Sequence, residues 1–493
     1  MDISERKRCL LILKKLLTNE KNKICDALFK DLHKPYFESY YLEINQVEHE
    51  LQYHLDNFEN WITEEITINP FRYLTLSLTG YGRTIIENKP RGECLIIGAW
   101  NYPIELSLKP LIGSISAGNN TTLVFPDLEY TKHTSILLIN LFNDYFKNID
   151  YINVRIGGKD NVTELLNKKW DLIFFTGSTH VGKIIYKKAA ENLTPVILEL
   201  GGKSPCIVDK QYNMDLLLKR ILWGKLANCG QTCVSPDYFL VNENLGKEFI
   251  KLLKKTIDDF YGQNIFSSRD YGRIINKKAY DRIINIINND KQYIVYGGNH
   301  DSNSLFIEPT IINFKRNKEE FLKSKCMEDE IFGPIIPIYY YNSYKEVNEI
   351  VKLYNDPLVC YIFSNKKDIL DKNIRSGSIV YNDTLIQMSS PLPFGGIGSS
   401  GIGKYHGKNT FDIFSYQQSK LIRYNFGEYV LARFPPYNIY WKELIIRITQ
   451  KVYSYKKINK ILFIIKYLLI FYIIQKIYFN RNIFFNYIWL TNK

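Results

Sequence analysis

Short apolar runs alternate with helix-length segments between residues 92 and 200, and this alternation restricts the fold more than any other feature. The runs occupy 93–99, 121–125, 151–156, 171–175 and 195–200, and the longer segments lie near 106–117, 131–147, 160–168 and 180–192. Buried parallel strands joined by crossover helices have this pattern. We therefore predict an α/β fold with a doubly wound sheet of the dinucleotide-binding type.

The regions on either side of this sheet extend the prediction. Residues 5–65 have apolar positions at helical spacing, and a second α/β region with strands at 237–242, 332–341 and 378–383 follows. The stretch 70–91 is predicted as a hairpin leaving the first domain, and 410–425 as a strand after the second. The expected domains are 1–200 for dinucleotide binding with the hairpin in an oligomerisation element, 201–405 for catalysis, 406–440 as an oligomerisation strand and gatekeeper-like segment, and 441–493 as a tail.

Positive charge is concentrated in the tail. The chain has a formal charge of +13, and residues 442–493 contribute ten Lys or Arg against one acid, which leaves +4 for the rest. A nucleic-acid-binding protein more often carries a basic stripe on its folded body. Within the tail, 461–474 is apolar at 13 of 14 positions and the apolar character resumes at 477–479.

Basic residues beside an apolar segment favour attachment to anionic lipid, with the body kept in the cytosol by the positive-inside rule. Lys466 interrupts the segment, so the tail either spans the bilayer or lies in its interface. The alternative is a hydrophobic helix packed on the body or on a partner subunit.

Eight cysteines are scattered without repeated spacing, which indicates a reducing compartment rather than a disulfide framework. One of them belongs to the most informative pair of segments. ILELGGKSP (197–205) places Glu199 at a strand end, and NCGQTCVSPDY (228–238) places Cys233 in a loop 34 residues later. A cysteine beside a glutamate fits a nucleophile and a base, although a buried cysteine and a solvated glutamate are the ordinary alternatives.

Four further segments accompany this pair: GAWNYP (98–103), FFTGSTHVG (174–182), EIFGP (330–334) and LPFGGIGSSGIGKYHGKNTFDIFS (392–415). With all six in this order, the chain over roughly 5–440 resembles the aldehyde dehydrogenase superfamily. NCGQTC and YHGK resemble its class 3 and fatty aldehyde dehydrogenase branch.

The resemblance implies a Rossmann-like cofactor domain, an α/β catalytic domain and a small oligomerisation element, assembled as a homodimer. It implies that Cys233 is the nucleophile, Glu199 the general base and Asn101 the oxyanion donor. A helix-capping role for Asn101, before a helix starting at Pro103, is the alternative. No metal site is expected, since Cys229 and Cys233 have no nearby histidine.

The implied cofactor is NAD, with NADP as the alternative. FTGSTHVG follows a predicted strand and precedes a helix, as phosphate binding at a helix N-terminus requires. Glu330 is expected to orient the nicotinamide ribose with Phe332 beside it. The full set of expected cofactor contacts is Trp100, Gly177, Ser178, Val181, Gly182, Leu200, Glu330 and Phe332.

The sequence departs from the family at several positions. VFPDLE (124–129) stands where Lys-Pro-Ser-Glu is usual, so Phe125 and Leu128 replace two residues that contact the adenosine ribose. Asp127 or Glu129 is the candidate substitute. Glu105 stands where the branch usually has asparagine, which places a carboxylate near the substrate path, and Asp329 replaces a common glutamate.

The leading interpretation is an oxidoreductase that converts medium- or long-chain aliphatic aldehydes to carboxylic acids. Its tail would hold it on a membrane, which we expect to be that of the endoplasmic reticulum. Two alternatives remain: a membrane-attached protein that keeps the fold but binds cofactor weakly, and a thioester-handling aldehyde reductase. No nucleic-acid partner is expected.

Overall fold

The computed structural model describes residues 1–65, 82–209, 213–354, 356–365 and 374–423, together with positions 435 and 443. One compact unit contains Met1–Ile62 and Asn88–Tyr416, and a second begins with Thr63–Glu87 and resumes at Gln417. Among the described residues, no helix combines the length and apolar character needed to cross a bilayer. The apolar tail segment at 461–479 lies outside the described residues.

Fourteen α-helices and a π-helical segment are found in the described residues. The helices are α1 (Ile3–Leu32), α2 (Tyr36–Ser39), α3 (Asn45–Trp61), α4 (Glu105–Ala117), α5 (Leu128–Tyr145), α6 (Lys159–Leu166), α7 (Thr179–Ala190), α8 (Met214–Leu226), α9 (Gly246–Tyr261), α10 (Lys277–Asn289), α11 (Lys318–Lys323), α12 (Lys325–Glu328), α13 (Tyr344–Leu353) and α14 (Lys408–Ile413), and the π-helical segment is Tyr40–Ile44.

Eighteen strands are found in the same residues. They are β1 (Thr63–Glu65), β2 (Gly82–Pro90), β3 (Glu93–Ile97), β4 (Asn120–Phe125), β5 (Ile152–Ile156), β6 (Leu172–Gly177), β7 (Val196–Leu200), β8 (Pro205–Val208), β9 (Tyr238–Asn242), β10 (Ile294–Tyr296), β11 (His300–Asp301), β12 (Phe306–Ile307), β13 (Thr310–Asn313), β14 (Ile335–Tyr341), β15 (Val359–Phe363), β16 (Ser378–Tyr381), β17 (Gly401–Ile402) and β18 (Ser415–Arg423).

The first large sheet has the strand order β17-β7-β6-β3-β4-β5, with β3 to β7 parallel and β17 antiparallel to β7. From β3 the chain winds outward through β4 to β5, and then returns to β6 and β7 on the other side. The switch point therefore lies between β3 and β6, where a crevice opens at the carboxyl ends of the strands. The predicted doubly wound sheet is confirmed.

The N-terminal helices pack on α4 and α5, the two helices that contact β3, β4 and β5 of this sheet. Asp2 and Glu5 form a capping box that starts α1, and the helix ends at His33, whose left-handed backbone (φ 53°) returns its N–H to the Phe29 carbonyl. The buried stripe of α1 includes Leu10, Leu13 and Leu17. This stripe packs α1 against α4 and α5, so the start of the chain becomes part of the core.

The second large sheet has the order β10-β13-β14-β9-β8-β15-β16. Its strands are parallel except β10, which is antiparallel to β13. Every residue of β8 and β15 is buried, as expected for central parallel strands covered on both faces. The α/β catalytic region expected from the sequence is thus present beside the first sheet.

A small sheet contains β1, β2 and β18. The strand predicted over 410–425 starts later than expected, because Lys408–Ile413 forms α14 instead. This short helix carries an i,i+4 ion pair between Lys408 and Asp412, and its Thr410 is buried. Of the predicted hairpin at 70–91, only the part from residue 82 onward belongs to the described residues.

The contact between α4 and α14 requires a glycine. A Cβ atom on Gly113 would lie 2.3 Å from the Thr410 Cγ2 atom and 2.8 Å from its carbonyl oxygen. The neighbour is partly backbone, so it cannot rotate away. Close packing of α4, whose residues are all buried, depends on this missing side chain.

We predict that Gly113→Ala lowers the free energy of unfolding by about 1–2 kcal/mol. Overpacking costs about 1–3 kcal/mol, which exceeds the gain of up to about 1 kcal/mol from replacing glycine within a helix. Urea unfolding followed by tryptophan fluorescence measures the change. Gly272→Ala is the matched control, because its new Cβ would meet its nearest neighbour at an ordinary 3.5 Å. Equal shifts in the two variants would contradict this packing argument.

Candidate active site

The predicted site residues converge on the crevice at the switch point. Trp100 and Asn101 follow β3, Gly177 ends β6 and Ser178 comes next, and Leu200 ends β7. Glu199 lies on β7 opposite Thr176 of β6 and Gly401 of β17. Segments far apart in the chain are therefore brought together at the carboxyl ends of the strands of the first sheet.

Glu199 has a buried carboxyl group without a hydrogen-bond partner. Its side chain is only 4% exposed, and neither oxygen accepts a hydrogen bond from any described residue. Burial raises the pKa of this carboxyl well above its usual range, and the charge of Lys404 opposes the shift only in part. The shift favours the neutral form of this carboxyl group. A carboxyl group of this kind is suited to proton transfer.

The loop that carries Cys233 begins with an unusual turn. Asn228, Cys229 and Gly230 all have left-handed backbone conformations, with φ of 51°, 56° and 76°. The turn presses Gly230 against another loop, since a Cβ there would lie 2.4 Å from the Gly333 carbonyl oxygen. Two consecutive non-glycine residues in this region represent backbone strain of the kind that clusters at functional sites.

Cys233 is half-buried, whereas Cys229 is fully buried and contacts the Tyr271 hydroxyl at 3.4 Å. Burial raises the pKa of the Cys233 thiol, and the carboxyl groups of Glu330 and Glu199 raise it further. Burial and these two carboxyl groups thus favour the protonated form of the thiol.

Asn101 is fixed by the cysteine loop. Its side-chain amide donates to the Gln231 carbonyl oxygen at 3.1 Å, and its own carbonyl oxygen accepts from Asn228 Nδ2 at 2.8 Å. The capping alternative is wrong, because α4 begins only at Glu105 and its N-terminus has no side-chain cap. One N–H of the Asn101 amide is engaged, which leaves the second available to a ligand oxygen.

A narrow cavity reaches Cys233; it leaves about 30 Å³ for the centres of water-sized molecules, or about 470 Å³ when space open to solvent is counted. Most of its wall is apolar, with polar groups at a few positions. The lining residues are Leu42, Gln46, Tyr102, Glu105, Leu106, Trp223, Thr232, Cys233, Val234, Leu385, Met388 and Ser389. Several come from the N-terminal segment and from the loop near 385–389, and no motif in the sequence pointed to them.

The structure places Glu105 on the wall of this cavity, as its position in the sequence suggested. It forms a buried ion pair with Lys109, at 2.7 Å between Oε1 and Nζ. Lys109 also donates to the Met388 carbonyl oxygen at 3.2 Å. The pair therefore ties α4 to the loop that forms the opposite wall.

The other side of the crevice holds Glu330, Phe332 and Trp100. The Phe332 and Trp100 rings meet edge to face at 5.5 Å between centroids. Glu330 lies against Gly201, where a Cβ would come within 2.0 Å of its Oε2 atom. Burial and the charge of Asp237 raise the pKa of Glu330 to about 8, and the Gly202 N–H opposes the shift.

Lys203 is a structural residue at this place. Its ammonium group is buried and pairs with Asp237, and it also donates to the Cys326 and Asp329 carbonyl oxygens. It thereby fixes the segment that carries Glu330.

Helix α7 begins beside the crevice. Ser178 caps it by accepting from the Val181 N–H at 3.4 Å, and Val181 itself is 38% exposed. Gly182 packs against Leu200, where a Cβ would lie 2.7 Å from a Leu200 methyl carbon. The free N–H groups of the first turn favour a phosphate.

These observations fit a nicotinamide dinucleotide. An aromatic pair flanks the crevice and a helix N-terminus opens onto it. The glycines Gly182 and Gly201 let Leu200 and Glu330 approach the backbone closely at this place. The adenosine side is different. Phe125 is fully buried and packs edge to face on Phe142 at 5.4 Å, and Leu128 is 38% exposed on the first turn of α5. Neither side chain can make the polar contacts that the usual lysine and glutamate make with the adenosine ribose.

Comparison with known proteins agrees with this geometry. The family model described as "Aldehyde dehydrogenase family" matches residues 1–420. The chain is 39% identical to the dimeric NADP-preferring aldehyde dehydrogenase of Rattus norvegicus over 429 residues, which are 86% of this chain and 91% of that protein. It is 40% identical to the 4,4'-diaponeurosporen-aldehyde dehydrogenase of Staphylococcus aureus (strain NCTC 8325 / PS 47) over 426 residues, 86% and 90% of the two chains.

A third relative is aldehyde dehydrogenase family 3 member A2 of Pongo abelii, 39% identical over 83% of this chain and 82% of that protein. Among solved structures, the substrate-bound state of Staphylococcus aureus AldH superposes with a TM-score of 0.83 at 38% identity. It covers 90% of this chain and 94% of the other. The chain therefore belongs to the aldehyde dehydrogenase family and is an NAD(P)-dependent oxidoreductase that acts on aldehydes.

Proposed function

We propose that the protein oxidises medium- or long-chain aliphatic aldehydes to carboxylic acids through a covalent intermediate on Cys233. The observation that carries this proposal is that Cys233 lines a largely apolar cavity and also lies within electrostatic range of Glu199, whose carboxyl group has no hydrogen-bond partner among the described residues. An aliphatic chain gains free energy from burial in such a cavity, at about 0.8 kcal/mol per methylene.

The first step joins Cys233 to the aldehyde. The thiol loses its proton to the ionised Glu199 carboxylate, which passes it on to solvent. The Sγ–C bond then forms, and the carbonyl oxygen takes the electron pair as an oxyanion. The second N–H of Asn101 Nδ2 and the Cys233 backbone N–H are the proposed donors to that oxygen. A donor of this kind contributes about 3–4 kcal/mol of transition-state stabilisation.

A bound nicotinamide dinucleotide would supply the acceptor for the hydride that the thiohemiacetal carbon loses when it becomes a thioester. Glu330 and Phe332 would hold its nicotinamide end, and the N-terminus of α7 would hold its phosphates. Glu199 then accepts a proton from the water that attacks the thioester, which releases the acid and returns the Cys233 thiol. A raised pKa makes Glu199 a stronger base once it is ionised.

We propose NAD as the preferred cofactor. Asp127 Oδ1 caps α5 by accepting the Glu129 N–H at 3.1 Å. Two carboxylates thus lie at the start of α5, next to the position of Leu128. These carboxylates would repel a 2′-phosphate. No lysine offsets the repulsion, because the position of the usual lysine is taken by the buried Phe125.

We predict that the protein reduces NAD in the presence of hexadecanal, with a higher kcat/KM for NAD than for NADP. Absorbance of the reduced nicotinamide measures the rate. Cys233→Ala should lower it by at least ~10³-fold, as for other deleted nucleophiles. Cys229→Ala, in the same loop, is the control and should keep most of the activity. Activity confined to short aldehydes would contradict the substrate assignment, and no reduction with either cofactor would favour a fold-retaining protein that has lost the reaction.

The pH dependence tests Glu199 separately. A base acts in its deprotonated form, so a raised pKa means that hydrolysis accelerates as pH rises. We predict that decay of the acyl-enzyme formed from p-nitrophenyl acetate accelerates as pH rises, and that it does so above the pH range in which an ordinary carboxyl group ionises. Glu199→Gln should slow the decay by about 10²–10⁴-fold and flatten the profile. Glu330→Gln should keep the rise; if it is Glu330→Gln that flattens the profile, the base is misassigned.

We further propose that residues 441–493 attach the protein to membranes, with the body in the cytosol, and that the body is a homodimer. The basic and apolar pattern of the tail supports the first part. The second part is supported by the rat relative, which is a dimeric aldehyde dehydrogenase, and by the exposed Tyr416, Leu421 and Ile422 of β18.

We predict that the full chain floats with phosphatidylserine-containing vesicles, whereas residues 1–440 do not float and remain dimeric in light scattering. Flotation should weaken at high salt because anionic lipid contributes electrostatic attraction. Vesicles of phosphatidylcholine alone are the control for the charge effect. A truncated protein that still floats would place lipid binding on the body.

A further inference from the structure

A buried ion pair outside the known motifs lies next to the site. Lys34 follows α1, Glu43 lies in the π-helical segment Tyr40–Ile44, and their charged atoms are 2.6 Å apart. Both side chains are 0% exposed. Such π-helical turns are rare and frequently occur at functional sites.

Both charges bind the loop that carries Asn101. Lys34 Nζ donates to the Asn101 carbonyl oxygen at 2.9 Å and lies 4.1 Å above the ring of Tyr102. Glu43 Oε2 accepts from the Ile104 N–H at 2.8 Å. The ion pair therefore holds the loop at its first and last residues.

The same loop contacts the nucleophile loop on its other side. Asn101 Nδ2 donates to the Gln231 carbonyl oxygen, and the Tyr102 hydroxyl lies 2.8 Å from Thr232 Oγ1. The direction of the free Asn101 N–H thus depends on where the backbone of residues 101–104 is held. Cys233 follows immediately after Thr232, so donor and nucleophile share one framework.

Stability alone does not account for a buried ion pair. Removing two charges from water is costly, and apolar pairs of similar volume are often neutral or stabilising replacements. Positional specificity is the better explanation here, because the two partners make three contacts with the same short loop. Preorganised donors are effective only when they are already aimed at the developing charge.

We propose that Lys34 and Glu43 are positioning residues, which aim the Asn101 amide at the carbonyl oxygen of an aldehyde bound at Cys233. This inference rests on the proposed function, in which Asn101 is the oxyanion donor. The pair acts through Asn101 and does not touch the substrate.

The test replaces the pair by Lys34→Met with Glu43→Leu, which avoids leaving one charge buried alone. We expect the full-length double variant to keep its melting temperature, the KM for aldehyde and the Kd for cofactor. Its kcat should fall about 10²-fold, the size of effect expected when a catalytic group is misplaced by about 1 Å. An unchanged kcat would overturn the proposal.

The exposed pair Lys7 and Glu59 is the matched control. It also joins the α1 and α3 region, at 2.9 Å, with about half of each side chain exposed. Lys7→Met with Glu59→Gln should leave kcat unchanged. If the buried double variant does not fold, the single variant Glu43→Gln is judged by the same criteria. Glu43 accepts from Lys34 and Ile104 through two oxygens, and a glutamine has only one acceptor oxygen, so one of these two hydrogen bonds is lost.

A double-mutant cycle with Asn101→Ala separates this inference from the proposed function. Asn101→Ala alone should lower kcat by about 10²–10³-fold, and adding the Lys34 and Glu43 changes should lower it no further. Full additivity would show that the pair does not act through Asn101 and would overturn the inference alone. No effect of Asn101→Ala itself would overturn the oxyanion role in the proposed function.

Discussion

The left-handed turn at Asn228–Gly230 is the constraint on which the site depends. Each non-glycine residue in this conformation costs on the order of 1–3 kcal/mol. The neighbouring chain offsets this cost with hydrogen bonds. The Asn228 N–H donates to Glu38 Oε2 at 2.8 Å, and Gln231 Nε2 donates to the Asn228 and Arg273 carbonyl oxygens. Because these bonds hold the turn, the Gln231 carbonyl faces Asn101, and Cys233 reaches the end of the cavity.

Electrostatics gives the site a second property. Burial raises the pKa values of Glu199, Glu330 and the Cys233 thiol together, so the ionised forms are disfavoured. The negative charges of Glu330 and Glu199 raise the pKa of the thiol further. The thiol therefore loses its proton more readily while these two carboxyl groups are neutral.

Much of the fold could be predicted because local pattern and tertiary structure agree. The apolar runs at 171–175 and 195–200 became β6 and β7, since buried parallel strands need no polar alternation. Glu199, Asn101 and Cys233 could be found because motifs mark them and the topology brings strand ends together. Their catalytic roles remain predictions from the sequence.

The rest could not be predicted for physical reasons. Lys34 and Glu43 carry no local signal, since only the folded chain shows that they are buried. The left-handed backbone at Asn228 and Cys229 could not be predicted from the sequence, because neither asparagine nor cysteine requires that conformation. The sequence showed that Phe125 removes a polar contact. Its packing on Phe142 could not be predicted, because it depends on where α5 lies in the folded chain. The helix at Lys408–Ile413 replaced part of a predicted strand because Thr410 fits a gap left by Gly113.

The contacts around Asn101 also have a consequence for folding. They join residues separated by 67 positions for Lys34, 127 for Asn228 and 130 for Gln231. Loops of this length close late, because their entropy must be lost before the contact forms. The first helices can pack on α4 and α5 early, but the bonds between Asn101 and the cysteine loop can form only when more than 230 residues have been made. Catalytic competence is therefore a late event on the folding pathway, and enzyme activity is a sensitive reporter of complete folding of this chain.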